Sequence, residues 1–158
     1  MAAGGGCDTG NTIEREQLAR SRTSWNAAKG GPQHHYRYSN ADGSFSGARW
    51  ETRIEVIDDR VTARSFMSAE PSGTVTQTWT EEGAAIGSHT GAAPALTIDQ
   101  VYERCAAEVL TKDPATNRIV LEFRDDGVLG VCLYVPKNCA DDCAVGYRIS
   151  TLDFLPAS

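Results

Sequence analysis

The chain has 158 residues, 41% hydrophobic and 23% charged, which is enough apolar material for a core and rules out disorder throughout. Its formal net charge is −6, and the densest basic stretch, Arg15 to Arg22, is interleaved with Glu14 and Glu16. An acidic surface without a Lys/Arg run repels phosphate backbones, so no nucleic-acid partner is expected. No apolar stretch approaches the ~20 residues a membrane-spanning helix needs, and Met1 to Gly10 lacks the basic start and apolar core of a secretory signal.

Residues 1–11 are Gly-rich and aperiodic and read as a flexible tether ahead of one domain over 12–156. A first helix is predicted from about Ile13 to Ala28, capped by Asn11 or Thr12, with Leu18 and Trp25 on one face and Gly30-Gly31-Pro32 as its stop. Gln33 to Ser39 reads as a strand with Tyr36 and Tyr38 on one face. Arg49 to Ile57 alternates: Trp50, Thr52, Ile54 and Val56 point one way, Glu51, Arg53 and Glu55 the other. Asp58-Asp59 then turns the chain into Arg60 to Met67, giving a β-hairpin. Thr74 to Thr80 is rich in β-branched residues and puts Val75 and Trp79 on one face, and Glu81 to Ala95 reads as a loop.

The second helix carries the clearest pattern. Thr97 and Gln100 have capping-box spacing, and Ile98, Val101, Tyr102, Cys105 and Val109 form one apolar stripe. Strands follow at Arg118 to Arg124 and Val128 to Val135, joined by the turn Asp125-Asp126-Gly127, and a last strand is predicted from Val145 to about Phe154. The order is helix, meander, helix, meander. The fold class is α+β, two helix-plus-antiparallel-meander units with helices packed on antiparallel sheet.

The cysteines are Cys7, Cys105, Cys132, Cys139 and Cys143. An odd number in an exported chain suggests four paired thiols and one with another role. Cys7 follows the small residue Gly6 and is a lipidation candidate, although Gly4 departs from the usual aliphatic residue; otherwise Cys7 is a free thiol in the tether. The remaining four allow three connectivities. The favoured one joins Cys105 to Cys132, tying the helix to its sheet, and Cys139 to Cys143 across a short loop. Zinc is disfavoured because Cys105 and Cys132 are not a close ligand pair, and thiol redox chemistry because Asp141 and Asp142 would raise a neighbouring thiol's pKa.

Other polar residues give no catalytic set. His34 and His35 are neighbours on a strand and point to opposite faces, so one packed and one surface histidine are expected. His89 adjoins Ser88 in the loop, without a GxSxG elbow. Asp58-Asp59, Asp125-Asp126 and Asp141-Asp142 lack the spaced oxygen run that calcium requires and read as turn residues. Trp25, Trp50 and Trp79 are expected in the core, and one found exposed would mark an interface.

Several features together form a wider pattern. They are Trp25 at a helix end, the Tyr36-Arg37-Tyr38 strand, the hairpin Ile54 to Val61, the helix opening Thr97-Ile98-Asp99-Gln100, and the strand pair over Val120 to Val131. In this order the chain, from about Gln17 to Phe154, resembles an uncharacterised family of bacterial exported domains, many of them lipoproteins. The loop at 81–95 and the segment Asn138 to Cys143 depart from that pattern. The resemblance implies export and an α+β fold, and brings no catalytic residues. The expected function is a non-catalytic cell-envelope or extracellular module that binds a protein or other macromolecule, as a monomer, with no cofactor or metal. The alternatives are a hydrolase with a carboxylate/histidine cleft and a purely structural lipoprotein anchored at Cys7.

Overall fold

The structure is a computed structural model that describes residues 10–31, 34–140 and 143–156. Cys7, most of the tether and the Asp141-Asp142 doublet lie outside the described residues. In chain order the elements are α1 (Thr12–Lys29), β1 (His35–Gly43), β2 (Arg49–Ile57), β3 (Arg60–Ala69), β4 (Val75–Glu82), α2 (Ile98–Arg104), β5 (Asn117–Phe123), β6 (Leu129–Pro136), β7 (Val145–Arg148) and β8 (Thr151–Phe154). This is an α+β fold with two separate antiparallel sheets, ordered β4-β3-β2-β1-β8 and β5-β6-β7. The chain divides into two compact units. One comprises the segment up to Ala28 and Gln100–Tyr147; the other comprises Lys29–Asp99 and the segment from Arg148 onward.

In the first unit, α1 buries Leu18, Ser21 and Trp25. Asn11 sits at its start with φ 65°. Asn11 and Thr12 were the two residues expected to cap α1. The Asn11 amide donates to the carbonyls of Leu110 (3.0 Å) and Lys112 (2.8 Å), just past the end of the second helix, and Arg15 also donates to Leu110 O at 3.1 Å. α2 continues as a π-helical turn over Cys105–Val109, closed by Leu110 N–H to Cys105 O at 3.0 Å. The predicted stripe is buried throughout, with Ile98 and Cys105 at 0% exposure. Tyr102 connects three elements: its hydroxyl bonds Ser21 Oγ (2.7 Å) on α1 and accepts from Leu129 N–H (2.9 Å) on β6. The disulfide Cys105–Cys132 joins the π turn to β6, its Cα atoms 6.0 Å apart, and Cys139–Cys143 closes the loop after β6 with Cα atoms 6.3 Å apart.

The segment 145–154 forms two strands rather than one. Its first half pairs in the three-stranded sheet, and its second half pairs with β1 from Tyr36 to Ser39. A single strand cannot follow two separate sheets, so the chain breaks at Ile149-Ser150, where Ser150 N–H donates to Ser39 O at 2.7 Å.

The second unit is the five-stranded sheet with the long segment 83–97. The β2–β3 hairpin forms as predicted. Asp58 and Asp59 take φ 49° and 65°, the left-handed pair that a two-residue turn matching strand twist requires. Register places opposed residues on one face. One row reads Tyr38, Ile54, Arg64, Glu81 across β1 to β4; the next reads Asn40, Thr52, Phe66, Trp79; the third reads Asp42, Trp50, Ser68, Gln77. Tyr38, Ile54, Arg64 and Glu81 are all buried, whereas Trp50 in the third row is 38% exposed.

Candidate functional site

The burial gradient across these rows is set by the segment 83–97, which is strapped over the same face. Four of the five strands, β1 to β4, hold it with different side chains. Tyr38 Oη donates to Leu96 O (2.6 Å), and Tyr36 Oη accepts from Ile98 N–H (2.9 Å). Thr52 Oγ1 accepts from Ala93 N–H (3.0 Å), and Arg64 donates to Ala93 O and His89 O, both at 2.8 Å. These bonds stop at the Thr52 row.

Glu81 is the centre of the strap's anchorage. Its side chain has 0% exposure and faces Arg64, itself 4% exposed. Arg64 Nε donates to Oε1 at 2.9 Å and Nη2 to Oε2 at 3.2 Å, a fork that matches carboxylate geometry. Gly87 N–H (2.8 Å), His89 N–H (2.6 Å), Ser88 Oγ (3.2 Å) and His89 Nδ1 (2.8 Å) complete the shell. The Arg64 hydrogen bonds hold the Glu81 carboxyl well below the usual carboxylate range; burial opposes this, and the backbone donors of Gly87 and His89 reinforce it. Since the carboxylate only accepts, His89 donates to it from Nδ1. The ring is 42% exposed and stacks on Trp79 with centroids 4.1 Å apart and planes 7° apart. Phe66 stacks on Trp79 at 5.5 Å, and the Arg64 guanidinium lies 5.1 Å from the indole centroid.

Neither Arg64 nor Glu81 was singled out from sequence, and His89 was placed in a featureless loop. A usable signal was present: Arg64 has the same strand parity as Phe66, and Glu81 the same as Trp79. Ser88 Oγ reaches Nδ1, the nitrogen already committed to Glu81, at 3.5 Å, so Ser88 and His89 do not form a nucleophile–base pair.

The histidine neighbours diverge as expected, with side-chain exposures of 2% for His34 and 18% for His35. His34 Nδ1 bonds Gly31 O at 3.2 Å, and its Nε2 accepts from Asp59 N–H at 3.1 Å. Lys29 Nζ bridges Asp59 (3.4 Å) and Asp99 (3.0 Å), so this cluster fastens the hairpin turn. His35 bonds Glu55 at 3.0 Å on the opposite side of the sheet. Among the described residues, no group of three or more His, Cys, Asp or Glu could hold a metal ion, and no helix is long and apolar enough to cross a membrane.

Of the three tryptophans expected in the core, Trp25 is fully buried and Trp50 is not. Trp50 stands in the row beyond the strap, between Asp42 and Ser68, so no apolar neighbour in its row covers it. It lies at the end of the sheet where the β1–β2 and β3–β4 loops emerge. Phe45 in the first loop is 98% exposed, and Val75, just after the second, is 54% exposed. The two loops meet: a Cβ on Gly47 would lie 3.2 Å from Pro71 Cβ. Val75 was expected to share a face with Trp79, but a register shift between Ser68 and Ala69 interrupts the alternation there.

Two open depressions show no comparable chemistry. One of 320 Å³ is lined by Gln17, Arg20, Ser21, Ser24, Phe123 and Gly127. The other, of 160 Å³, lies on the polar face of the five-stranded sheet between Arg37, Arg53 and Glu55. No protein-family model, curated protein or solved structure matches the chain.

Proposed function

We propose that this chain is a non-catalytic, exported module that binds a protein partner through the loop end of its five-stranded sheet. The observation that carries the reading is the exposure of Phe45 and Trp50 at that end, beyond the reach of the strap. Large apolar side chains held in water on a rigid support are typical of binding surfaces, and aromatic residues dominate binding energy there. The strap supplies the support, since four strands fix it by side-chain hydrogen bonds. Export rests on the two disulfides, which persist in oxidising compartments, and on the family resemblance. Anchoring through a lipid on Cys7 belongs to the same proposal.

The test compares wild type with Phe45→Ser/Trp50→Ser as bait against the envelope fraction of the source cell. A protein retained by wild type and lost with the variant, at unchanged circular dichroism, supports the reading; equal capture by both removes this surface from it. Fractionation of cells carrying Cys7→Ser tests the anchor, because a lipid-anchored chain moves to the soluble fraction when that thiol is lost.

One observation favours a hydrolase as the second reading. The Glu81–His89 pair presents a part-exposed imidazole oriented by a buried carboxylate, an arrangement also used by general bases. Turnover of an ester or glycoside panel that disappears in His89→Asn would support it, and absence of turnover by wild type would remove it.

A further inference from the structure

The two edges of the five-stranded sheet are protected to different degrees. The β8 edge is four residues long, carries Asp153 and runs into Pro156, all devices that discourage pairing with another chain. The β4 edge is eight residues long. Its stretch Val75-Thr76-Gln77-Thr78-Trp79-Thr80 contains no charge and no proline and is rich in strand-forming side chains. Every residue of this stretch except Trp79 is exposed. Among the described residues, no backbone hydrogen bond from outside the sheet reaches residues 75–80. One side of β4 pairs with β3; its other side offers backbone donors and acceptors to solvent.

We propose that β4 pairs antiparallel with β4 of a second copy of this chain, forming a closed two-fold dimer with one continuous sheet. This goes beyond the proposed function, because it uses the strand edge and not the exposed Phe45 and Trp50 side chains. Charge selects the orientation. Glu81 and Glu82 both lie at the C-terminal end of β4, so parallel addition would set Glu82 beside its own copy, whereas antiparallel addition sets it opposite the uncharged start of the partner strand. Exposed Thr78 and Thr80 can then meet threonines of the second copy on the polar face, a favourable cross-strand pairing. Closure selects a second copy over a foreign strand. A two-fold contact consumes both longer edges and leaves only the blunted β8 edges outermost, whereas a foreign strand would leave a new edge open. On this proposal the chain is a symmetric dimer and not the monomer expected from its sequence.

Sedimentation equilibrium on the intact, oxidised chain, from micromolar to submillimolar concentration, tests this directly. The expected result is a rise from 17.0 kDa toward twice that mass. Thr78→Lys/Thr80→Lys should keep the wild-type circular dichroism spectrum and weaken association by at least about tenfold, as charges on an edge do. Hydrogen exchange on wild type gives a readout independent of any variant: amides within 77–82 should gain protection as concentration rises. A mass of 17.0 kDa at all concentrations would overturn the proposal. So would a dimer without added protection in β4, or one that Phe45→Ser/Trp50→Ser dissociates while the lysine pair leaves it intact.

Discussion

Arg64 and Glu81 face each other across β3 and β4 as directly opposed residues, joined by two hydrogen bonds in a site where their side chains are 4% and 0% exposed. Four donors of the strap, Gly87 N–H, Ser88 Oγ–H, His89 N–H and His89 Nδ1–H, converge on the same carboxylate. The pair therefore couples a strand edge to the segment that covers the sheet.

Acid should weaken the fold through this group. The Glu81 carboxyl is held well below its ordinary range, so the folded state releases its proton more readily than the unfolded state. Its stabilising contribution is complete above the ordinary carboxylate pKa of about 4.3, and it is lost progressively as pH falls from there toward the folded-state value. Urea unfolding of wild type between pH 6 and pH 2 (roughly the window of carboxylate linkage) should show falling stability that is shallower in Glu81→Gln. At neutral pH, Glu81→Ala should lower Tm by more than about 5 °C, because Arg64 is left buried without its counter-charge. An unchanged Tm would mean that solvent reaches the guanidinium.

Alkali should act through tyrosines. Burial raises the hydroxyls of Tyr36, Tyr38 and Tyr102 above their ordinary value. A raised folded-state pKa gives stability that is intact below the unfolded value of about 10 and lost as pH climbs through the folded values. The phenolate absorbance of these three should therefore appear together at the unfolding transition. Smooth titration of these three near the ordinary value, in protein that stays folded, would contradict the burial shown for them.

Much of this arrangement can be read from the chain, and the part that cannot has a common cause. The β2–β3 hairpin follows from strict alternation on both sides of Asp58-Asp59, and the second helix from a stripe in which every apolar member proves buried. Those signals are local. Arg64 and Glu81 lie 17 positions apart, and each read singly is a charged residue bound for solvent. Only the β3–β4 register brings them together, and only the return of 83–93 over the face buries them. Trp50 errs in the other direction. Its alternation with Thr52 and Ile54 is real, but its row lies beyond the strap, and the length of a cover cannot be read from a strand pattern. The break between β7 and β8 was hidden because Val145 to Phe154 keeps a strand-like composition while its pairing partner changes.

The disulfides should contribute unequally. Cys105 and Cys132 close a separation of 27 residues, and Cys139 and Cys143 one of 4. Chain-entropy arithmetic assigns about 3.5 kcal/mol to the longer loop and about 2 kcal/mol to the shorter. Cys105→Ala/Cys132→Ala should therefore lower unfolding free energy more than Cys139→Ala/Cys143→Ala, measured by guanidinium denaturation without reductant. Alkylation of the unreduced wild-type chain should label at most one thiol, leaving Cys7 as the residue outside the two bridges.

Gly146 gives the sharpest single-residue prediction. It lies in β7 with φ 155°, and a Cβ built on it would overlap Cys132 O and crowd Leu133. The obstacle is β6 backbone next to the Cys105–Cys132 bridge, which cannot swing aside as a flexible side chain could. Gly146→Ala must therefore separate β7 from β6, and it should cost about 3 kcal/mol or more, at the upper end for overpacking. Gly73→Ala provides the contrast: its φ of 93° also disfavours a side chain, but nothing lies within 4 Å of its Cβ position. That variant should lose only the backbone term of about 1 kcal/mol. Equal losses in the two variants would show that conformation, not the contact between strands, makes glycine necessary at 146.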